Sequence, residues 1–246
     1  MKQHYEQYSE TDFFVWKTLF ERQVSNLDGK ACSLYLDCLN DLKPYLNADM
    51  IPRFTDLSAA LEKQTGWTLE VVPGLIPVDQ FFGLMEKRKF CSSTWLRRFE
   101  QLDYLEEPDM FHDIFGHIPL LWNKDYADLM QKIGALGTKY SQFSNVLDAL
   151  ERFYWFTIEF GLIKEAGERR IYGAGVLSSF GESKHIYSDE LTVLDFDLKA
   201  ILQKSFIKSD IQGLYYELSS FNDLHNALAN LEVIIQQNEE LAIGLQ

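Results

Sequence analysis

The sequence predicts a mainly α fold with a few short β-strands, built as a single domain. Three observations predict it. Apolar residues recur at helical spacing over most of the chain, as in Phe13, Trp16, Leu19, Phe20 and Val24. Looser alternation with β-branched residues is confined to short stretches such as GWTLEVV, residues 66–72. No internal repeat and no low-complexity linker divides the 246 residues, a length that fits one large domain or two small ones.

Taken in order, the polar first ten residues are expected to be flexible. Asp12 to Ser25 reads as an amphipathic helix, and Asp28 to Leu42 as a second with Ala31, Leu34, Leu39 and Leu42 apolar and Pro44 ending it. Pro52 and Asp56 lead into a third, Arg53 to Thr65. Gly66 to Val72 is a strand, residues 73–77 (PGLIP) a turn, Val78 to Glu86 a helix, and Arg88 to Ser92 a second short strand. Helices follow near Asp125 to Leu136 and over Asn145 to Lys164, in which Gly161 is the one weak position. Arg170 to Leu177 alternates loosely. Asp195 to Leu202 and Phe221 to Gln237 read as the last two helices.

Composition narrows the function classes. The net charge of −14, from 23 basic and 37 acidic residues, argues against nucleic acid and anionic membranes as partners. No apolar run approaches the length of a membrane span, and the N-terminus lacks a signal-peptide core. Cys32, Cys38 and Cys91 are odd in number and not clustered, as expected of reduced thiols in a cytoplasmic protein.

The chemistry concentrates in residues 108–119, PDMFHDIFGHIP. His112 and His117 lie five apart, and an α-helix turns about 100° per residue, so one uninterrupted helix cannot aim both at one metal. A short helix that starts at Pro108-Asp109, stops at Gly116 and swings His117 back would do so. Two unrelated core histidines are the alternative, and the spacing alone does not choose. Glu159 adds a third group. Its helical neighbours Trp155, Phe156, Leu162 and Ile163 are apolar, and a carboxylate on such a stripe must neutralise, pair with a cation or bind a metal. Two histidines and one carboxylate make the facial triad of non-haem Fe(II) oxygenases; a salt bridge to a buried arginine stays open for Glu159.

Three stretches, PDMFHDIFGHIPLL, WFTIEFGL and YGAGVLSSFGE, closely resemble the signatures of the pterin-dependent aromatic amino acid hydroxylases, most of all the short bacterial members acting on phenylalanine. The resemblance runs from about Trp16 to Leu231. It implies the single-domain hydroxylase catalytic fold over 1–246, with neither the regulatory domain nor the C-terminal oligomerisation arm of the animal relatives, and hence a monomer. It implies Fe(II) on His112, His117 and Glu159, with O2 as co-substrate and a tetrahydropterin, such as tetrahydrobiopterin, supplying two electrons. Leu75 and Ile76 match the family's pterin loop and Phe81 its stacking ring, although by itself Phe81 reads equally as core. Tyr154 matches a residue near pterin and iron, and Asp113 stands where the animal enzymes have Glu.

For the amino acid, Arg97 matches the carboxylate-binding arginine and Asp109 the acid that orients it; read alone, Arg97 could be a surface arginine. Trp155 and Phe160 match the ring pocket, Gly175 the cleft wall, and Ser178 a serine supporting the first histidine. Three departures bear on specificity: Cys91 replaces a histidine, Leu105 a threonine and Glu106 a proline. His4, His185 and His225 match no motif. The expected reaction is L-phenylalanine to L-tyrosine. Tryptophan or tyrosine as substrate, meta attack on phenylalanine, a zinc hydrolase and a non-catalytic metal-binding module stand as alternatives.

Overall fold

The structure, a computed structural model, describes residues 1–103, 105, 107–188, 191–208 and 210–237. Helix α1 (Glu10–Leu27) opens with a capping box. The Ser9 hydroxyl accepts the Asp12 N–H and the Asp12 carboxylate accepts the Ser9 N–H. Its buried face carries Val15, Trp16, Leu19, Phe20 and Leu27. The residues ahead of it, expected to be flexible, make hydrogen bonds to later parts of the chain. The Tyr5 hydroxyl donates to the Ile51 carbonyl at 3.0 Å and the Tyr8 hydroxyl to the Thr94 carbonyl at 2.7 Å.

The second helix, α2 (Ser33–Asp41), starts later than its apolar pattern suggested. Gly29 takes a left-handed φ of 67°, and the Cys32 N–H donates to the Ile171 carbonyl, so 28–32 is used for long-range backbone pairing. Helix α3 (Phe54–Thr65) ends at Gly66, whose φ of 78° needs a residue without Cβ. Strand β1 (Thr68–Val71), helix α4 (Val78–Glu86) and strand β2 (Lys89–Ser92) form a right-sized crossover, with β1 and β2 parallel and Thr68 opposite Lys89.

The histidine segment does not stop at Gly116. Residues His112–His117 form a π-helical turn that runs directly into α5 (Ile118–Leu121). Helix α6 (Lys124–Lys139) then lies close against α4. Gly134 and Gly137 leave room for the Met85 backbone and the Phe82 ring, which a methyl group at either position would strike. This contact fixes α4 at the edge of the cavity described below.

Helix α7 (Ser144–Tyr154) continues as a second π-helical turn, Trp155–Glu159, and the chain then leaves the helix. The single helix expected over 145–164 is therefore wrong in its last part. Leu162–Glu165 is strand β3, turning through Ala166 (φ 52°) and Gly167 (φ 84°) into antiparallel β4 (Glu168–Ile171). Gly161 sits where the Tyr172 ring and the Thr157 carbonyl close in, so only a residue without Cβ fits where the chain leaves the helix. The alternation over 170–177 also divides: β4 ends at Ile171 and Ala174–Ser178 is helix α8.

Helix α9 (Phe180–His185) and strand β5 (Thr192–Asp195) follow. Helix α10 (Leu198–Gln203) is capped by Asp197, so the helix expected from Asp195 begins three residues late. Strand β6 (Leu214–Leu218) had no clear signal, and α11 (Phe221–Gln237) matches its expected bounds. The larger sheet has the order β4-β3-β6-β5, with β6 parallel to both β3 and β5. The architecture is mainly α with short strands, as expected, and one large apolar cluster runs through it from Val15 to Ile235.

Candidate active site

A π-helix closes i→i+5 hydrogen bonds, so residues five apart lie nearly above one another. That winding brings His112 and His117 to one face without any break in the helix. Gly116 makes it possible by letting the turn rest on α8: a Cβ there would lie 2.8 Å from the Ala174 carbonyl oxygen. The second π turn ends on Glu159 and directs its carboxylate to the same point. His117 Nε2 is 3.3 Å from His112 Nε2 and 3.1 Å from Glu159 Oε1, and His112 Nε2 is 3.6 Å from Glu159 Oε2. One donor atom from each residue lies within 4.8 Å of the others. The open alternatives for these residues close: the two histidines meet, and Glu159 faces imidazoles and not a buried arginine.

Protonation follows from the surroundings. The Ser178 hydroxyl donates to the Ala174 carbonyl at 2.8 Å, so its oxygen is left to accept the His112 Nδ1–H, also at 2.8 Å. The Nε2 lone pair of His112 is then free for a metal. Burial lowers the His112 pKa to about 4, which keeps the ring neutral. Burial pushes the Glu159 carboxyl up, but the His117 and His112 rings and the Gly175 N–H more than offset this and hold it below its ordinary value. Two imidazoles and one carboxylate converging on one point are a donor set that suits Fe(II) and leaves further coordination positions open.

Arg97 is not a surface residue. Its Nε and Nη2 donate to the two carboxylate oxygens of Asp109, both at 2.9 Å, and its backbone N–H donates to Asp109 Oδ2 at 2.9 Å. Asp109 is fully buried and also accepts the His112 N–H at 3.1 Å. Burial works against its charge, yet the Arg97 guanidinium holds its carboxyl below the usual range. The fork thus spends one edge on Asp109 and keeps the Nη1 side for another anion.

These groups line one cavity of about 720 Å³. On one side stand Leu75, Ile76, Phe81, Asp113 and Tyr154. Phe81 meets the Tyr154 ring edge-on at 5.2 Å, and the buried Tyr154 hydroxyl has no hydrogen-bond partner among the described residues. An orphaned hydroxyl beside an aromatic face suits a polar heterocycle. Asp113 accepts the Ser93 N–H at 2.9 Å, and burial raises its carboxyl to about 7. On the other side are Trp155, Phe160, Gly175 and Ser178. Trp155 and Phe160 pack at 4.7 Å, and a Cβ on Gly175 would come within 2.9 Å of Phe160 Cζ.

The cavity therefore brings together every residue singled out for metal, pterin and amino acid except Asp109, which stands buried behind Arg97. Cys91 and Leu105 also line it, and burial pushes the Cys91 thiol up to about 12, so it is neutral. Glu106 lies outside the described residues. None of His4, His185 and His225 lines the cavity. Sequence reasoning missed Glu182 and Gln212. Glu182 lay inside the quoted stretch YGAGVLSSFGE, but only as one acid among 37 acidic residues; Gln212 carried no signal.

Comparison with known proteins identifies the family. Residues 4–242 match the family model described as biopterin-dependent aromatic amino acid hydroxylase. Phenylalanine-4-hydroxylase of Ralstonia nicotianae is 41% identical over 228 residues, covering 92% of this chain and 72% of the relative. Human phenylalanine-4-hydroxylase is 33% identical, covering 93% of this chain and 51% of its own length. The Chromobacterium violaceum phenylalanine hydroxylase structure with bound iron(III) and 7,8-dihydrobiopterin superposes with a TM-score of 0.89 at 40% identity, covering 97% of this chain and 86% of that one. A further structure of that enzyme, with iron and phenylalanine bound, gives 0.87 at 38% identity, covering 97% and 87%. With the family model spanning almost its whole length and its motifs folded into one cavity, the chain belongs to the biopterin-dependent aromatic amino acid hydroxylases.

Proposed function

We propose that this protein is a monooxygenase that hydroxylates L-phenylalanine to L-tyrosine with Fe(II), a tetrahydropterin and O2. The carrying observation is that the His112–His117–Glu159 donor set and Arg97, held from behind by Asp109, open into the same cavity. When bound, iron and tetrahydropterin supply the reductive activation of O2. The protein's own residues do the rest. His112, His117 and Glu159 hold the metal, and Ser178 holds His112 in the tautomer that offers Nε2. Phe81 and Tyr154 give the pterin ring an aromatic wall, the Leu75-Ile76 turn borders it, and Asp113 faces it as a carboxyl that gains or loses a proton near neutrality. The free edge of Arg97 takes the substrate carboxylate. Because Asp109 bonds both Arg97 and the His112 backbone, the carboxylate anchor and the metal share one rigid frame.

Phenylalanine is favoured by the ring side. Trp155 and Phe160 present apolar surface, and the Trp155 N–H is already taken by Gln212 at 3.1 Å. A phenol hydroxyl would meet no free donor or acceptor on these two residues, at a cost of about 1–3 kcal/mol. Family membership speaks against the hydrolase and the non-catalytic module. Among the described residues no helix is long and apolar enough to cross a membrane. A net charge of −14 and three free thiols support a monomer in a reducing cytoplasm, with neither nucleic acid nor membrane as partner. The test is anaerobic Fe(II) loading, then product analysis for phenylalanine, tyrosine and tryptophan with and without tetrahydropterin. Tyrosine formed from phenylalanine only with pterin and O2 is expected; a higher kcat/KM for another amino acid refutes the substrate. Light scattering near 28.6 kDa is expected, and twice that mass refutes the monomer.

A further inference from the structure

Behind the ring pocket lies a polar chain that no metal, pterin or carboxylate contact explains. The Glu182 carboxylate is buried, accepts the Gln212 N–H at 3.0 Å on one oxygen and takes the Tyr215 hydroxyl on the other. This pins the Gln212 backbone. The buried Gln212 side chain then divides its amide. Its NH2 donates to the Ile207 carbonyl at 2.8 Å and to the Asp210 carbonyl at 3.1 Å, while its oxygen accepts the Trp155 Nε1–H at 3.1 Å. Both amide hydrogens are engaged, so the amide cannot flip without losing three bonds. The indole so held stacks on Phe206 at 4.4 Å with 16° between planes and packs on Phe160 at 4.7 Å. An indole has its N–H as its one polar handle, and stacking alone leaves it free to slide in its plane.

We infer that Gln212, fixed by Glu182, is a positioning residue for ring recognition: through the Trp155 N–H it sets the wall against which the substrate ring lies. The inference rests on the amino acid hydroxylase reading and adds a specificity role outside the residues that touch substrate. Removing the acceptor leaves the half-buried indole N–H without its partner, so the ring turns outward and takes the wall with it. The loss affects binding of the ring more than the chemistry that follows.

The test compares wild type, Gln212→Leu, Gln212→Glu, Trp155→Phe and the Gln212→Leu/Trp155→Phe double variant as Fe(II)-loaded enzymes. Readouts are calorimetric L-phenylalanine binding, steady-state kinetics for phenylalanine and tryptophan, and Fe(II) stoichiometry. Gln212→Leu should weaken phenylalanine binding and raise its KM about tenfold, with kcat changed less and the tetrahydropterin KM unchanged. The preference for phenylalanine over tryptophan should narrow. Gln212→Glu keeps an acceptor for the indole but replaces the donating NH2 with an oxygen set against the Ile207 and Asp210 carbonyls, so it should recover only part of the loss. In the Trp155→Phe background, which has no N–H to orient, Gln212→Leu should change phenylalanine binding less than about twofold. Equal losses in both backgrounds, or a folded Gln212→Leu protein with wild-type KM and preference, would overturn the role. If Gln212→Leu does not fold, Trp155→Phe decides: unchanged phenylalanine affinity and preference overturn the role. Wild-type enzyme that makes no tyrosine refutes the functional reading instead, and the binding data still judge Gln212.

Discussion

Arg97→Lys keeps the positive charge and removes the fork, so it separates charge from geometry. In the folded protein the guanidinium spends Nε and Nη2 on Asp109 at 2.9 Å each and is almost fully buried. A lysine ammonium can reach one carboxylate, not bridge two in a plane. If Asp109 keeps the ammonium, the substrate carboxylate loses both bonds; if the substrate takes it, Asp109 is left buried with only the backbone N–H groups of residue 97 and His112. Hydrogen bonds to charged groups contribute about 1.5–3 kcal/mol each. Losing the equivalent of one raises the phenylalanine KM by about 10- to 100-fold. The tetrahydropterin KM should move less than about threefold, because the pterin side shares no bond with Arg97. Steady-state kinetics with each substrate varied in turn measures both. An unchanged phenylalanine KM in a folded, iron-loaded Arg97→Lys enzyme would refute the assignment.

Other outcomes follow from the same geometry. Ser178→Ala removes the acceptor that holds the His112 Nδ1–H and should weaken Fe(II) binding about 10- to 100-fold in chelator competition, with the fold intact. Glu159→Ala should abolish turnover and leave iron occupancy well below one per chain by metal analysis, while far-ultraviolet circular dichroism is preserved. Acid should act on the metal-free protein through three buried groups of opposing sign. His112 is depressed from 6.5 to about 4, so its contribution is complete above about pH 6.5 and is lost as pH falls toward 4. Asp109 is also depressed, so its contribution is complete above the ordinary aspartate range and is lost below it. Asp113 works the other way: burial raises its carboxyl from 3.8 to about 7, so it adds stability as pH falls from about 7 toward 4 and offsets His112 there. Thermal melts should show a nearly level Tm between about pH 6.5 and 4.5 and a steep fall below about pH 4, and a Tm that holds level down to about pH 3 would contradict this.

What the sequence alone determined was local. Apolar spacing and end signals placed α4 and α11 at their bounds and α3 to within a residue, because an amphipathic helix and its caps are written in consecutive residues. The isolation of Glu159 among apolar neighbours and the paired histidines pointed to a metal, and the long motifs carried the family. What only the tertiary structure decided was how distant stretches meet. Residues 162–165 have helical company on one side, yet become β3 because β4 and β6 offer backbone partners. The histidines five apart converge by a π turn and not by a helix end, a winding chosen by the contact of Gly116 with Ala174. Arg97 reads as a surface residue until Asp109 is found buried against it, and Gln212 is featureless until its amide meets Trp155. Hydrogen-bond direction and burial belong to pairs of residues far apart in the chain, so one-dimensional pattern could name the chemistry here but not the frame that holds it.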